Sequence, residues 1–298
     1  MIKFDREKRP LLGIRDPTRR DTLLEQIMES IHRVKYVSVI HSRQICEQRR
    51  DPSSELFDPL KAAILYQREG NLDEAFWLIF LFVHFGKHSR AGWRYVREIY
   101  GRLGDGARWD WPNVSTRIND FRDWLHQHQA ALTRKGVPRG FGNHRKYESL
   151  DARSSNGTGA VVESYVSWVR PPRTHKALID TYAQQVKHDP RKTFDMLYRS
   201  MKAVTRFGRT ARFDYLTMLG KLQLANIEPG VAYMHNSTGP IKGARLLFDG
   251  KTTATINAAE LEESLVKLDD SLQVGMQVLE DALCNWQKSP SKFDKFRG

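Results

Sequence analysis

The chain has 298 residues, 40% hydrophobic and 28% charged, with 48 Lys and Arg against 35 Asp and Glu, a net charge of +13 and a pI near 9.8. That composition excludes a disordered or fibrous chain and gives ample length for a buried core, in one large or two modest domains. A surface this basic attracts polyanions, so nucleic acid is the expected partner class. Cys46 and Cys284 are too few for a disulfide framework, a zinc ribbon or an iron-sulfur cluster, and both are expected reduced and buried. The first ten residues, MIKFDREKRP, lack the apolar run of a secretion signal. The most apolar stretch, residues 75–83, is far shorter than the ~20 residues of a membrane span. A cytoplasmic protein without membrane contact is expected.

Residues 1–15 are charged and contain Pro10, the pattern of an arm. Over 18–48 a helical period places Leu24, Ile27, Ile31 and Val34 on one stripe. Asp58-Pro59, an N-cap followed by a first-turn proline, opens a helix that ends near Gly70. Residues 72–85, LDEAFWLIFLFVHF, are apolar on nearly every side and predict the central helix of the N-terminal half. His84 and His88 have the spacing of a metal pair, but no third ligand matches them and a capped helix end accounts for them as well. No metal and no cofactor is expected. The glycine-rich GRLGDG at 101–106 follows no strand, so it is a weak basis for nucleotide binding. Residues 113–135 predict another helix with Ile118, Phe121, Leu125 and Leu132 inward, and Trp93, Trp109, Trp111 and Trp124 are expected in the core.

The stretch 137–151, VPRGFGNHRKYESLD, carries chemistry. Gly140 and Gly142 allow a close approach, and Asn143, His144, Arg145, Lys146, Tyr147 and Glu148 follow as an unbroken polar and aromatic run. A pocket for a flipped base needs donors, acceptors, a ring and an acid or base; a solvated basic loop is the alternative. Residues 154–159 read as a flexible linker dividing an N-terminal helical lobe, 1–153, from a C-terminal one, 160–298. Helices follow over 161–169, 174–188 and 190–204, the last burying Phe194, Leu197, Met201 and Val204. From 187 to 221 nine Lys/Arg stand against only Asp189, Asp195 and Asp214, the charge of a phosphate-tracking face.

Residues 206–250 organise the rest. Arg206, Arg209 and Arg212 cluster there, Asp214 interrupts an apolar helix, and Ser237-Thr238-Gly239-Pro240 opens a second helix with Lys242 and Arg245 near its start. Free N–H groups and the helix dipole favour a phosphate at such a turn; an ordinary capped turn is the alternative reading. Asp214 is either functional or paired with Arg209 or Arg212, since an unpaired carboxylate among apolar residues is costly. Strand patterns occur only at 231–233 and 246–253, with a short hairpin expected over 243–255 around Asp249-Gly250. Asn257 to Glu260 is a capping-box-like start to a long terminal helix, 257–287, with Leu261, Leu265, Leu268, Leu272, Leu279 and Trp286 on one stripe. The fold expected is mainly α.

Three blocks, RGFGNHRKYESLD (139–151), RFGRTARFDYLTMLGKLQLANIEPG (206–230) and STGPIKGARLLF (237–248), resemble the alpha-glutamyl/putrescinyl thymine pyrophosphorylase clade 3 family, over roughly residues 75–250. The resemblance implies a two-lobed helical fold like that of helix-hairpin-helix glycosylases, with the hairpin at 237–248, and double-stranded DNA with modified bases as partner. Relatives were proposed to work on phage DNA carrying hypermodified thymine. The group is also similar to antiphage glycosylases that excise bulky modified pyrimidines such as glucosylated hydroxymethylcytosine.

Two chemistries follow from it. Base excision needs a carboxylate near C1′ to stabilise the developing positive charge and donors to the departing base; Asp214, Glu148 and Glu260 are the candidates. In bifunctional helix-hairpin-helix glycosylases a lysine stands two residues before an alanine of the hairpin helix, a position that Lys242 and Ala244 match, while the acid roughly eighteen residues later falls here on Glu260. A transferase would displace pyrophosphate from an activated hydroxymethyluracil with an amine. Arg145, Lys146, Arg209, Arg212, Lys242 and Arg245 would clamp the leaving group, with His144 or Glu148 as base. A non-catalytic DNA-binding module is the third reading. In each, Asn143, Arg145, Lys146, Tyr147, Arg206, Arg209, Arg212, Thr238, Gly239, Lys242 and Arg245 are the expected DNA contacts.

Overall fold

The computed structural model describes residues 1–134 and 136–295. Among these the regular structure is helical, and no strand forms beyond one isolated bridge between His88 and Gly92. The fold is mainly α. The chain forms two compact units, one running from Ile40 to Ile227 and the other assembled from Met1–Val39 and the described residues 228–295. The division expected at 154–159 falls inside the first of these.

The unit built from the two chain ends contains α1 (Ile2–Glu7), most of α2 (Pro17–Ser42), α12 (Gly239–Asp249), α13 (Ala258–Leu272) and α14 (Met276–Trp286). The first fifteen residues are a docked segment, since Phe4, Leu11 and Ile14 are buried in the core with α12 and α13. On α2 the buried stripe is Leu23, Ile27 and Val37 together with the polar Gln26 and Ser30, while Leu24 is exposed. Ile31 and Val34 are partly buried against the same core, so of the expected stripe only Leu24 lies outside it. Gln26 and Ser30 join the buried face because both are paired, Gln26 Nε2 donating to the Asp294 carbonyl at 3.0 Å and Ser30 bonding the Asp281 carboxylate.

Residues 243–255 form no hairpin. Asp249 ends α12, and Gly250, at φ +72°, is its left-handed cap; Asp-Gly suits both a hairpin and a helix end, and the apolar face of α12 selects the second. A Cβ on Gly239 or Gly243 would stand 2.5 Å from Cys284 Sγ or 2.2 Å from the Leu283 carbonyl oxygen, so these glycines let α12 lie directly on α14. The terminal helix expected over 257–287 is two helices. Asn257 caps α13, accepting from Glu260 N at 2.9 Å. Gln273 then turns left-handed at φ +54°, and the Asp269 carboxylate accepts from Val274 N and Gly275 N, which ends the helix. Both cysteines are free; Cys46 is exposed and Cys284 half-buried, not buried as expected.

The larger unit is organised on α4 (Leu72–Phe85), capped by Asn71 and buried on almost every side from Glu74 to Phe85. Packed around it are α3 (Pro59–Arg68), with Asp58 as its cap, α5 (Arg94–Tyr100), α6 (Trp111–Thr116), α9 (His175–Gln185) and α11 (Arg209–Lys221). The helix expected over 113–135 is two, α6 and α7 (Ile118–Leu132), because Arg117 leaves helical geometry and the Thr116 hydroxyl bonds back to the Pro112 carbonyl at 2.6 Å. Lys135 lies outside the described residues. Trp109, Trp111 and Trp124 are buried, and Trp93 is half-buried. Completing the unit, α8 (Thr158–Val169) lies beside α7, and α10 (Pro190–Ser200) packs on α9 and α11.

Candidate functional site

A helix ends with unpaired carbonyls, and at the end of α4 the loop 139–148 supplies their donors. Gly142 N donates to the Phe85 carbonyl at 2.8 Å and Arg145 Nε to the Val83 carbonyl at 2.8 Å. The cation of Arg145 also meets the negative end of the helix dipole. Phe141 stacks on Phe85 at 5.3 Å and on Tyr95 at 5.5 Å. The approach is so close that a Cβ on Gly142 would lie 2.8 Å from Gly86 C and Lys87 N. Beneath the loop, buried His84 meets Thr158 Oγ1 at 3.1 Å, and Thr158 donates onward to the Ser149 carbonyl at 2.8 Å. Burial, reinforced by the charges of Arg145 and Arg206, lowers the His84 pKa to about 3, so its ring is neutral. His88 Nδ1 accepts from the backbone of Arg90 and Ala91. These two histidines have separate structural partners, and among the described residues no group of three or more His, Cys, Asp or Glu side chains is arranged to hold a metal.

A single 3-10 turn over Asn143–Arg145 sends Arg145 inward and leaves Asn143, His144, Lys146 and Tyr147 at the surface. Tyr147 is 81% exposed, with Lys146 Nζ 5.0 Å from its ring centre. Inside, Arg145 Nη2 reaches the Asp214 carboxylate at 3.0 Å. The partner of Asp214 is thus Arg145, from the loop. Arg212 instead donates to the Tyr198 carbonyl and stacks on that ring at 4.2 Å, and Arg209 lies over Phe213 at 5.4 Å.

Protein crowds Asp214 enough that desolvation raises its pKa, with the charges of Arg145, Lys221, His144 and Arg209 opposing in that order. Yet 47% of its side chain is open to solvent. Basic side chains act on it together: Arg145, Lys221, His144 and Arg209 all favour its charged form. Lys221 is the member that sequence reasoning missed, although it stands seven residues from Asp214, two turns along the same face of α11.

Glu148 is held by Arg206 through both oxygens at 3.2 Å, and the same guanidinium bonds the Tyr147 carbonyl. The pair braces the far end of the loop. Arg206 itself is left-handed, at φ +59°.

The remaining sequence candidates belong to the other unit. Glu260 pairs with Arg9 at 3.2 Å, and Arg245 bonds the Ile256 carbonyl. Lys242 and Thr238 are exposed, the Ser237 hydroxyl accepts from Ile241 N at 3.2 Å, and Gly239 packs on Cys284. The helix preceding this turn, α11, ends at Lys221, and the chain over 222–238 is irregular.

A buried polar chain also escaped the sequence. Asp73 accepts from His175 N at 2.8 Å and meets Nδ1 of its ring at 2.6 Å. His175 Nε2 meets Tyr165 Oη at 2.8 Å, and Tyr165 meets Tyr215 Oη at 2.8 Å. Burial lowers the His175 pKa against the pull of Asp73 and raises both phenols. No described helix is long and apolar enough to cross a membrane.

No curated protein and no solved structure matches the chain. A family model does, over residues 18–298, nearly the whole length. The chain belongs to the alpha-glutamyl/putrescinyl thymine pyrophosphorylase clade 3 family.

Proposed function

We propose that the protein is an enzyme acting on modified bases of double-stranded DNA, and specifically a glycosylase that flips out and excises a bulky modified pyrimidine from phage DNA in antiviral defence. The observation that carries this reading is Asp214, a carboxylate crowded by protein but open to solvent and ringed by basic groups. A carboxylate so placed stabilises the positive charge that grows on the deoxyribose as the C1′–N bond breaks. Water then completes the excision at C1′, leaving an abasic site and the free base. Arg145 keeps Asp214 oriented, and Asn143, His144, Lys146 and exposed Tyr147 supply hydrogen bonds, charge and a stacking ring for the strand and the extruded base. A helix-hairpin-helix at 237–248, with Lys242 and Arg245 on backbone phosphates, belongs to the same reading as a proposal.

A second reading is favoured by the family and by the cationic ring. Arg145, Lys221, His144 and Arg209 around one carboxylate suit a pyrophosphate leaving group. An amine nitrogen would attack the exocyclic carbon of an activated hydroxymethyluracil, the carbon–oxygen bond to pyrophosphate would break, and Asp214 would take the amine proton.

Incubation of the purified chain with phage DNA carrying glucosylated hydroxymethylcytosine, with hydroxymethyluracil DNA and with plain DNA decides between them. Mass spectrometry of released bases and counting of abasic sites are the readouts. Excision predicts abasic sites in modified DNA alone, abolished by Asp214→Asn with DNA binding intact. DNA left whole in every arm overturns it; transfer then requires an amine adduct and released pyrophosphate on phosphorylated hydroxymethyluracil DNA.

A further inference from the structure

On the larger unit a groove of about 920 Å³ opens among α7, α8, α9 and the segments that follow α8 and α10. Four of its lining residues are arginines, Arg122, Arg153, Arg170 and Arg173, against one carboxylate, Glu163. Its volume lies in the range of small-ligand sites, and its charge selects an anion. Ser155, Ser164, Ser167 and Ser200 add hydroxyls to the wall.

Three of the arginines are held in place by the protein. Arg122 bonds the Ala152 carbonyl at 3.1 Å and Glu163 at 2.5 Å; Arg173 bonds the carbonyls of Val169 and Trp168 at 2.7 and 2.9 Å; Arg153 pairs with Asp123 at 2.5 Å. Arg170 differs. It is exposed, and among the described residues its side chain makes no hydrogen bond or ion pair. It is also the left-handed cap of α8, at φ +61°, ψ +66°. Glycine or asparagine is the usual residue at such a cap, and a side chain with a Cβ is strained there. Arg170 lines the groove with a guanidinium that no described side chain or carbonyl holds, which leaves it available to an anion. Tyr182, half-buried at the groove, offers a ring for an aromatic base.

We propose that this groove is an anion site for a phosphorylated nucleotide unit, with the phosphate on Arg170 and Arg173 and the base against Tyr182. The unit is either a free nucleotide or one residue of a DNA strand. The proposal goes beyond the excision reading, because none of the groove residues is among those around Asp214, and the groove would bind whichever reaction Asp214 serves.

The test titrates the full chain with thymidine 5′-monophosphate and, separately, with a single-stranded oligothymidylate, followed by calorimetry and fluorescence anisotropy. Wild type is compared with Arg170→Glu and Arg170→Gly. Arg170→Gly relieves the left-handed strain, so it folds at least as well as wild type and guards against a trivial loss. Loss of a charged hydrogen-bonding partner should weaken binding about tenfold or more in both Arg170 variants. Binding of both ligands identifies a nucleotide pocket, and binding of the oligonucleotide alone identifies a strand groove. No binding of either ligand, or equal affinity in wild type and both Arg170 variants, overturns the proposal.

Discussion

Arg145 joins two distant parts of the larger unit with one side chain: its Nε holds the Val83 carbonyl at 2.8 Å, and its Nη2 holds Asp214, 69 residues away, at 3.0 Å. Only a planar guanidinium presents both donors in that geometry. Arg145→Lys should therefore release the loop and lower stability by about 1–3 kcal/mol, read as a fall in denaturation midpoint. Asp214→Asn should behave oppositely. The ion pair is half-exposed on the Asp214 side and is worth about 1 kcal/mol or less, so the melt should barely move while turnover on modified DNA disappears. Equal losses of stability and activity in Asp214→Asn would sink the assignment of a chemical role.

Gly142 offers a test of the loop itself. Alanine there would press a methyl onto the Gly86 and Lys87 backbone, 2.8 Å away, and backbone has no room to yield. The expected cost is about 1–3 kcal/mol, typical of overpacking. Hydrogen exchange at Gly142 N, now bonded to the Phe85 carbonyl, should accelerate more than exchange in the interior of α4.

Glu74 should make stability fall with rising pH. Buried at 1% exposure, it accepts from Tyr100 Oη and Trp111 N, each at 2.6 Å. Burial raises its pKa from the ordinary 4.5 to about 7, against the pull of those two bonds. The native state then holds a proton that the unfolded chain releases between these values, so ionisation costs stability as pH climbs from 4.5 to 7, by about 3 kcal/mol in all. Glu74→Gln mimics the protonated acid, its amide donating to Tyr100 and its oxygen accepting from Trp111. Denaturation midpoints should coincide with wild type at pH 4.5 and exceed it at pH 8; parallel curves would refute the argument.

In the buried chain, Tyr165 is the shared member, bonded to both His175 and Tyr215. Tyr165→Phe leaves two buried polar atoms unsatisfied and should cost about 2–4 kcal/mol, whereas Tyr215→Phe removes one bond and should cost about 1 kcal/mol. Chemical denaturation of both variants checks the order.

What the sequence disclosed was local. The caps Asp58 and Asn257 and the all-round apolar run of α4 need only neighbouring residues to be read, and each stands as expected. Asp214 and the polar run at 143–148 were visible as an acid among apolar residues and a dense string of functional groups. Their union was not, because a pair 69 residues apart leaves no periodic trace. Polar burial misled in the same way. Gln26 and Ser30 look like a solvated face of α2 until their partners near residue 290 are known. Asp249-Gly250 misled because a left-handed glycine serves a hairpin and a helix cap alike.

The unit formed from the two chain ends carries a consequence for synthesis. Gln26 finds its acceptor 268 residues later, at the Asp294 carbonyl. The continuous segment from Ile40 to Ile227 forms a compact unit of its own, whereas Leu23 and Ile27 share a core with residues of α13 and α14, which leave the ribosome last. Translation thus imposes an order: the unit bearing Asp214 can close first, and the apolar side of α2 is the surface a nascent-chain chaperone meets in the interval.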